Sequence, residues 1–361
     1  MKGAIQRGAL AALGVWLSAG PGVAGPWREP RCEGRISLAL TDPAGAALAE
    51  RPVVSACAPI VETTGSADIR VDSLRLFDAE GRAIPFQVDE KDNTGIFQET
   101  PNGTLDADDE FVFLAEAGAR RRPSYTLYFS ATAGCASASG GSPVGFYAGV
   151  PAAGNPYGCN AVLSNDSLLV GIRGAEADLP AEPDSAQGCI TRLAYRGREL
   201  LRPGQEGLFW GPHQARAPWG RPILVARGPV RATVQVRAAP GRVDFHRTGG
   251  GWAVTKAGKG HVQGILCRAF TLYGNRPYVE VRESFLAETA APEICASYVS
   301  SFRTAPVSPL QRDDVLYGPW QGAIHELRLD DETFFETPYP SDGWVALRGG
   351  ISGLGLALFF D

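Results

Sequence analysis

The chain has 361 residues, of which 44% are hydrophobic, and a formal net charge of -5, so it is long enough to build one large or two medium cores. The acidic balance argues against nucleic acid as a ligand, because nucleic-acid-binding proteins usually carry a basic patch. With 44 glycines and 27 prolines, long helices have little room.

The first residues have the features of an export signal. Lys2 and Arg7 give a positive start, residues 8–17 are apolar, and residues 23–25 are small. We therefore predict a signal peptide over 1–25 and a secreted or periplasmic location. The apolar run is shorter than the roughly 20 residues that span a bilayer, and no later stretch reaches that length, so we expect no membrane span.

The cysteines follow this signal, in a compartment where disulfides persist. Their spacings do not suggest a zinc site. Pairing sequence neighbours predicts three bridges and one remaining thiol: Cys32 with Cys57, Cys159 with Cys189, Cys267 with Cys295, and Cys135 left over.

Strand-like patterns recur along most of the chain. Apolar and polar residues alternate in RISLAL (35–40), in SYTLYF (124–129) and over 230–237, which predicts half-buried strands. Turn-forming residues separate these segments, as at Gly274-Asn275. The predicted class is all-β.

A run of small and polar residues at 131–142 predicts a linker. It would separate an N-terminal β-sandwich domain, 26–130, from a larger antiparallel β-supersandwich domain, 143–361. The apolar segment 354–360 lies at the very end of the sequence. We expect either a longer natural chain or a terminal strand that closes a sheet.

Two motifs carry a family resemblance in the first domain: PFQVDE at 85–90 and GTLDADDEFVF at 103–113. With the strands around them they resemble the N-terminal β-domain that precedes catalytic domains in secreted polysaccharide-lyase-like proteins. The segments AVLSNDSLLVGI and RAFTLYGNRPYVEVRESFL resemble the galactose-mutarotase-like β-supersandwich. The resemblance implies the fold and a polysaccharide partner, and no catalytic motif of a named family matches a position here.

An acidic run follows Asn102-Gly103. Its members Asp106, Asp108 and Asp109 are hard oxygen ligands that could hold calcium. The run lacks the EF-hand loop pattern, and a solvated turn before the strand FVFL explains the same residues.

A glycine- and tryptophan-rich segment, 207–219, is too irregular for a strand. Loops of this kind often line sites. Trp210 and Trp219 could stack on sugar rings, with His213 between them. The alternative is that the two tryptophans close the end of the sandwich.

The segment PYVEVRESF offers a polar strand face. In a strand, Tyr278, Glu280 and Arg282 point to one side. We expect Arg268 and Tyr273 from a neighbouring strand to complete a carboxylate-binding surface there. Cross-strand charge pairing explains the same alternation without a ligand.

These residues give three hypotheses for function. The first is a carbohydrate-active enzyme that cleaves an acidic polysaccharide by β-elimination. Arg268 and Arg282 would neutralise the uronate carboxylate, Tyr273 or His213 would transfer the proton, and Trp210, Trp219 and Glu280 would bind the substrate. The second hypothesis is a non-catalytic glycan-binding or cell-surface module, and the third is an envelope structural protein.

Overall fold

A computed structural model describes most of the N-terminal half of the chain and selected strands after it. The described residues are 16–20, 27–41, 52–65, 68–115, 124–132, 141–149, 155–175, 187–201, 208–209, 219–238, 243–248, 251–255, 262–287, 303–304, 315–320, 323–328, 344–348 and 355–359. One compact unit covers Val15–Ala305, and the strands after residue 306 belong to a second unit.

The first seven strands form two antiparallel sheets, which confirms the predicted all-β class for this part. The strands are β1 Trp16–Gly20, β2 Gly34–Thr41, β3 Pro52–Ala56, β4 Arg75–Phe77, β5 Phe86–Asp89, β6 Glu110–Leu114 and β7 Ser124–Phe129. One sheet has the order β1-β2-β7-β4 and the other β3-β6-β5. Strand β1 lies within the predicted signal peptide and pairs with β2.

A short helix, α1 (Ala58–Thr64), follows β3 and was not predicted. A proline occupies its first turn, where the missing N–H costs nothing. Gly65 ends it in the left-handed conformation, which glycine adopts without strain. A single 3₁₀ turn, Val71–Ser73, precedes β4.

Strand β6 is buried on both faces, and this double burial positions the candidate site. Phe111 and Phe113 point into the core between the two N-terminal sheets. Val112 and Leu114 point the other way and pack against Val230 and Tyr273 from the second half of the unit. Because strand side chains alternate, Glu110 shares this second face.

The second half of the unit adds two more antiparallel sheets. Its strands are β8 Gly145–Ala148, β9 Ala161–Ser164, β10 Leu168–Arg173, β11 Cys189–Tyr195, β12 Arg198–Glu199, β13 Leu208–Phe209, β14 Ile223–Arg227, β15 Arg231–Arg237, β16 Val243–Thr248, β17 Gly251–Thr255, β18 Val262–Tyr273, β19 Val279–Ala287 and β20 Arg303–Thr304. One sheet has the order β20-β13-β11-β10-β9-β8, with β12 on β11. The other has the order β14-β15-β18-β16-β17, with β19 on β18.

The last unit contains one described antiparallel sheet. Its strands are β21 Val315–Trp320, β22 Ala323–Arg328, β23 Trp344–Arg348 and β24 Gly355–Phe359, in the order β22-β21-β23-β24. The final apolar segment of the sequence is therefore a strand that pairs with β23.

The compact unit crosses the predicted boundary at 131–142. Residues 133–140 lie outside the described part of the chain. On either side of them, the N-terminal sandwich and the second half share buried apolar contacts, such as that between Val112 and Val230. The two compact units divide near residue 305, and the linker at 131–142 stays a prediction.

Candidate functional site

Strand β19 carries the polar face that its sequence predicts. Glu280 and Arg282 lie opposite Thr271 and Ala269 of β18, and a salt bridge of 3.0 Å joins their side chains. Tyr273 ends β18 on the same side, and its hydroxyl donates to Glu280 at 3.0 Å. The structure therefore brings three of the predicted site residues together.

Two further residues join them in a closed polar ring, made of Glu110, Arg231, Tyr273, Glu280 and Arg282. Arg231 Nη1 donates to the Tyr273 hydroxyl at 3.1 Å, and its Nη2 donates to Glu110. Arg282 Nη1 donates to the other oxygen of Glu110 at 2.8 Å, and its Nη2 donates to Glu280 at 3.0 Å. Each member of the polar ring thus contacts the next.

Side chains of the N-terminal domain extend the polar ring. Lys91 Nζ lies 2.5 Å from Glu110, and Asp89 accepts from Arg231 Nε at 2.8 Å. Gln87 donates to Asp89 at 2.6 Å and accepts from the backbone N–H groups of Val230 and Arg231 at 3.0 Å. Arg231, Arg282 and Lys91 balance Glu110, Glu280 and Asp89, so the assembly is neutral overall.

Burial and neighbouring charges shift the pKa values in this assembly. Burial opposes ionisation of Glu110, but Arg231, Lys91 and Arg282 outweigh it and lower its pKa well below the usual range. Burial is the largest influence on Tyr273 and raises its pKa, and Glu280 adds to the effect against the opposing Arg231. The phenol therefore keeps its proton at neutral pH, which does not suit a general base.

Arg268 lies apart from the polar ring, so the predicted convergence of Arg268 with Tyr273 and Arg282 is wrong. It faces Glu283 across the strands, and Arg268 Nε lies 2.5 Å from that carboxylate. Arg268 and Tyr273 are five positions apart on one strand, and an odd separation places side chains on opposite faces. The spacing alone contained this information.

Trp219 packs on the same side of the sheet as Arg268. The guanidinium lies 4.6 Å from the indole ring, and Nη1 donates to the Gly188 carbonyl at 2.8 Å. Trp219 is fully buried, and so cannot offer a ring face to a sugar. This position agrees with the alternative in which the tryptophan closes the end of the sandwich. Trp210 and His213 lie outside the described residues.

The acidic run before β6 fixes a turn. Asp109 is buried and accepts the backbone N–H groups of Lys91 at 2.8 Å and of Asp106 at 2.7 Å. Asp106 in turn accepts the Asn102 amide at 2.9 Å, while Asp108 is exposed. In the described part of the chain, no group of three or more acidic, histidine or cysteine side chains is arranged to hold a metal ion, and calcium binding by Asp106, Asp108 and Asp109 stays a prediction.

The predicted bridges between Cys32 and Cys57 and between Cys159 and Cys189 are not formed in the structure. Cys57 is buried in the main core of the sandwich, while Cys32 packs beside Tyr128 in a separate cluster. The Cys189 sulfur lies 3.7 Å from Arg268 Nη1. The Cys159 sulfur lies 3.5 Å from the Asn155 amide.

The last predicted bridge pairs Cys267 with Cys295, and both Cys295 and the leftover Cys135 lie outside the described residues.

Comparison with protein-family models and with curated proteins finds no match to this chain. Within the described residues, no helix has both the length and the apolar character needed to cross a membrane. Because no relative informs the site, its chemistry is inferred from the contacts of its own residues.

Proposed function

We propose that this chain is an exported, non-catalytic module that binds an acidic glycan. The observation that carries the proposal is the state of the two arginines expected to bind the uronate carboxylate. Arg282 is held by Glu110 and Glu280, and Arg268 is held by Glu283. β-Elimination needs a free positive charge that neutralises the uronate carboxylate and so makes the adjacent C–H proton acidic. Both guanidinium groups are already paired with carboxylates of the chain.

The binding face in this proposal is the outer edge of the polar ring. Tyr278 is 46% exposed and its ring centroid lies 5.6 Å from that of Tyr273. The side chains of Glu280 and Arg282 are 22% and 24% exposed beside it. An exposed aromatic face packs against the C–H face of a sugar ring, and adjacent polar groups bind its hydroxyl or carboxylate groups.

Export rests on the first 25 residues. The positive start, the apolar run and the small residues before position 26 form the pattern of a secretory signal. A polysaccharide ligand is consistent with a location outside the cytoplasm.

A β-elimination lyase is the second candidate. It is favoured by the meeting of a phenol, a carboxylate and two guanidinium groups in the polar ring. For catalysis, Arg282 would have to release Glu110 or Glu280 and bind the substrate carboxylate instead. Tyr273 would also have to lose its proton, although burial raises the pKa of its hydroxyl. The binding proposal needs neither change.

Retention on immobilised uronate-containing polysaccharides tests the binding face. We expect the full chain to be retained and Tyr278→Ala to weaken binding about tenfold, equivalent to about 1.4 kcal/mol. Trp27→Ala is the matched control, because Trp27 is equally exposed but belongs to the N-terminal sandwich. Equal retention of Tyr278→Ala and the wild-type chain would overturn the assignment of the face, and no retention on any polysaccharide would overturn the function.

A further inference from the structure

Strand β1 forms one edge of the β1-β2-β7-β4 sheet and lies wholly within the predicted signal peptide. It pairs with β2 from Trp16 opposite Thr41 to Gly20 opposite Ser37. Removal of the signal would take this strand away, and the backbone groups on that side of β2 would lose their hydrogen-bond partners. Among the described strands, only β1 pairs with this side of β2, since β7 occupies the other side. Processing would therefore turn β2 into an edge strand.

The edge opened in this way borders the core of the N-terminal sandwich. Leu38 and Leu40 of β2 are fully buried and belong to the main apolar cluster, together with Ile60 of α1. The segment 37–41 contains no charge and no proline, the features that usually protect a sheet edge from pairing. The processed chain, from which residues 1–25 have been removed, would therefore carry an apolar edge that is a template for a further strand.

The segment 37–41 is nearly symmetric about its centre. Its sequence is SLALT, with Ala39 in the middle, a leucine on each side and a hydroxyl residue at each end. Two copies of this segment can pair antiparallel about Ala39. Leu38 of one copy then lies opposite Leu40 of the other, and the serine lies opposite the threonine. Because opposed residues point to the same face of a sheet, the leucines of both copies stay on the core side.

We propose that the processed chain forms a two-fold dimer in which β2 pairs antiparallel with β2 of a second copy, in the place of β1. The pairing uses the same five residues, 37–41, that pair with β1. A strand from an unrelated protein does not require this edge to be symmetric, whereas a second copy does. Two-fold pairing also closes the edge, so assembly stops at two copies on this side. The proposal rests on removal of the signal, which is part of the proposed export, and is independent of glycan binding.

Sedimentation equilibrium of the exported chain tests the dimer, once N-terminal sequencing has shown that residues 1–25 are gone. We expect a concentration-dependent equilibrium between monomer and dimer. The unprocessed chain retained by Leu13→Arg should stay monomeric, because β1 fills the edge. A processed chain that is monomeric at every concentration would overturn the proposal. Dimers of both forms, or co-purification of a different polypeptide with the processed chain, would also overturn it.

Charge at position 39 tests the two-fold register. Ala39 is only partly buried and, by alternation, points away from the core side of β2. In Ala39→Lys the two new lysines lie opposite each other, and opposed like charges should weaken dimerisation at least about tenfold. Ala39→Glu should weaken it in the same way. An equimolar mixture of the two variants should recover a dimer with one copy of each, because the lysine then faces the glutamate.

Ser124→Lys is the matched control. Ser124 is exposed and lies opposite Ala39 on β7, so its lysine is on the same sheet but one strand away from the edge. This variant should dimerise like the wild-type processed chain. If Ala39→Lys dimerises as well as the control, or if the folded variants recover no dimer when mixed, the pairing about Ala39 is wrong.

Ala39→Cys provides a second variant in case the charged variants fold poorly, because cysteine is close to alanine in size. In the dimer its two α-carbons lie about 4.5–5.5 Å apart, within the range that a disulfide spans. Mild oxidation should link the two copies of Ala39→Cys covalently and should leave Ser124→Cys unlinked. Equal linkage of the two variants, or none in Ala39→Cys, would contradict the pairing.

Retention on polysaccharide separates this outcome from the proposed function. A processed chain that binds polysaccharide as a monomer would sink the dimer alone. A processed dimer that no polysaccharide retains would sink glycan binding alone. Exported material that still begins at Met1 would sink the processing step and the dimer together.

Discussion

Glu110 and Arg282 are 172 positions apart in the chain, yet Glu110 Oε1 accepts from Arg282 Nη1 at 2.8 Å. The same carboxylate contacts Lys91 and Arg231. Glu110 therefore links β6, the central strand of the β3-β6-β5 sheet, to β19, the strand that carries the proposed binding face. At this buried interface, Glu110 contacts three cations, and Asp89 and Glu280 complete their charge compensation.

Replacement of Glu110 by glutamine should destabilise the chain strongly. The amide leaves Lys91, Arg231 and Arg282 with less compensating charge in a buried setting, and broken buried ion pairs cost about 3–5 kcal/mol. The measurement is the free energy of unfolding in urea. Glu199→Gln is the control, because the Arg192–Glu199 pair is about one third exposed and should lose no more than about 1 kcal/mol. Similar losses in both variants would contradict a buried role for Glu110.

Gly188→Ala should be more costly than Gly197→Ala. Both glycines have positive φ angles, 72° and 76°, so both variants carry backbone strain of about 1–2 kcal/mol. A Cβ on Gly188 would lie only 2.5 Å from the Trp219 ring, whereas nothing lies within 4 Å of one on Gly197. The additional loss should appear in urea unfolding together with a change in tryptophan fluorescence. Equal losses would mean that Trp219 moves away freely.

Stability should depend on pH through Asp109. Burial raises the pKa of this carboxyl from 3.8 to about 6. Since the folded chain then binds the proton more tightly than the unfolded chain, the stabilising contribution is complete below about pH 4 and is lost as the pH rises through about 6. The difference in unfolding free energy between the wild-type chain and Asp109→Asn should fall by roughly 1–3 kcal/mol across this interval. A difference that stays constant from pH 4 to 7 would contradict the buried, proton-retaining carboxyl.

Export should remove the predicted signal. The chain recovered from the periplasm or the medium should begin at Gly25 or Pro26, as read by N-terminal sequencing. Leu13→Arg interrupts the apolar run and should keep the chain inside the cell. Exported material that still begins at Met1 would rule out this reading, and strand β1 would then remain in the mature sheet.

Local patterns predicted much of the fold. Alternation in RISLAL and SYTLYF gave strands β2 and β7, and alternation over 230–237 gave β15. The helix α1 was missed because its seven residues are too few for a helical period to emerge. Its proline and the following Gly65 were the available signals.

The polar residues of β5 and β6 could not be assigned to the site from the sequence, for a physical reason. Gln87 and Asp89 alternate with apolar neighbours, a pattern that normally marks a solvated strand face, and Glu110 follows an acidic turn at the start of β6. Here a second sheet covers that face, and Arg231 supplies the opposite charge from 142 positions away. No local pattern encodes such a partner, so the polar ring could not be predicted, although Tyr273, Glu280 and Arg282 were individually identified.

The most direct test is incubation of the full chain with a panel of uronate-containing polysaccharides. Ultraviolet absorbance reports the unsaturated product of β-elimination, and retention on the same polysaccharides reports binding. We expect retention on at least one acidic polysaccharide with no increase in absorbance, because Arg282 and Arg268 remain in their ion pairs and Tyr273 keeps its proton. Accumulation of unsaturated product that is abolished in Tyr273→Phe would contradict the non-catalytic function and identify the chain as a lyase.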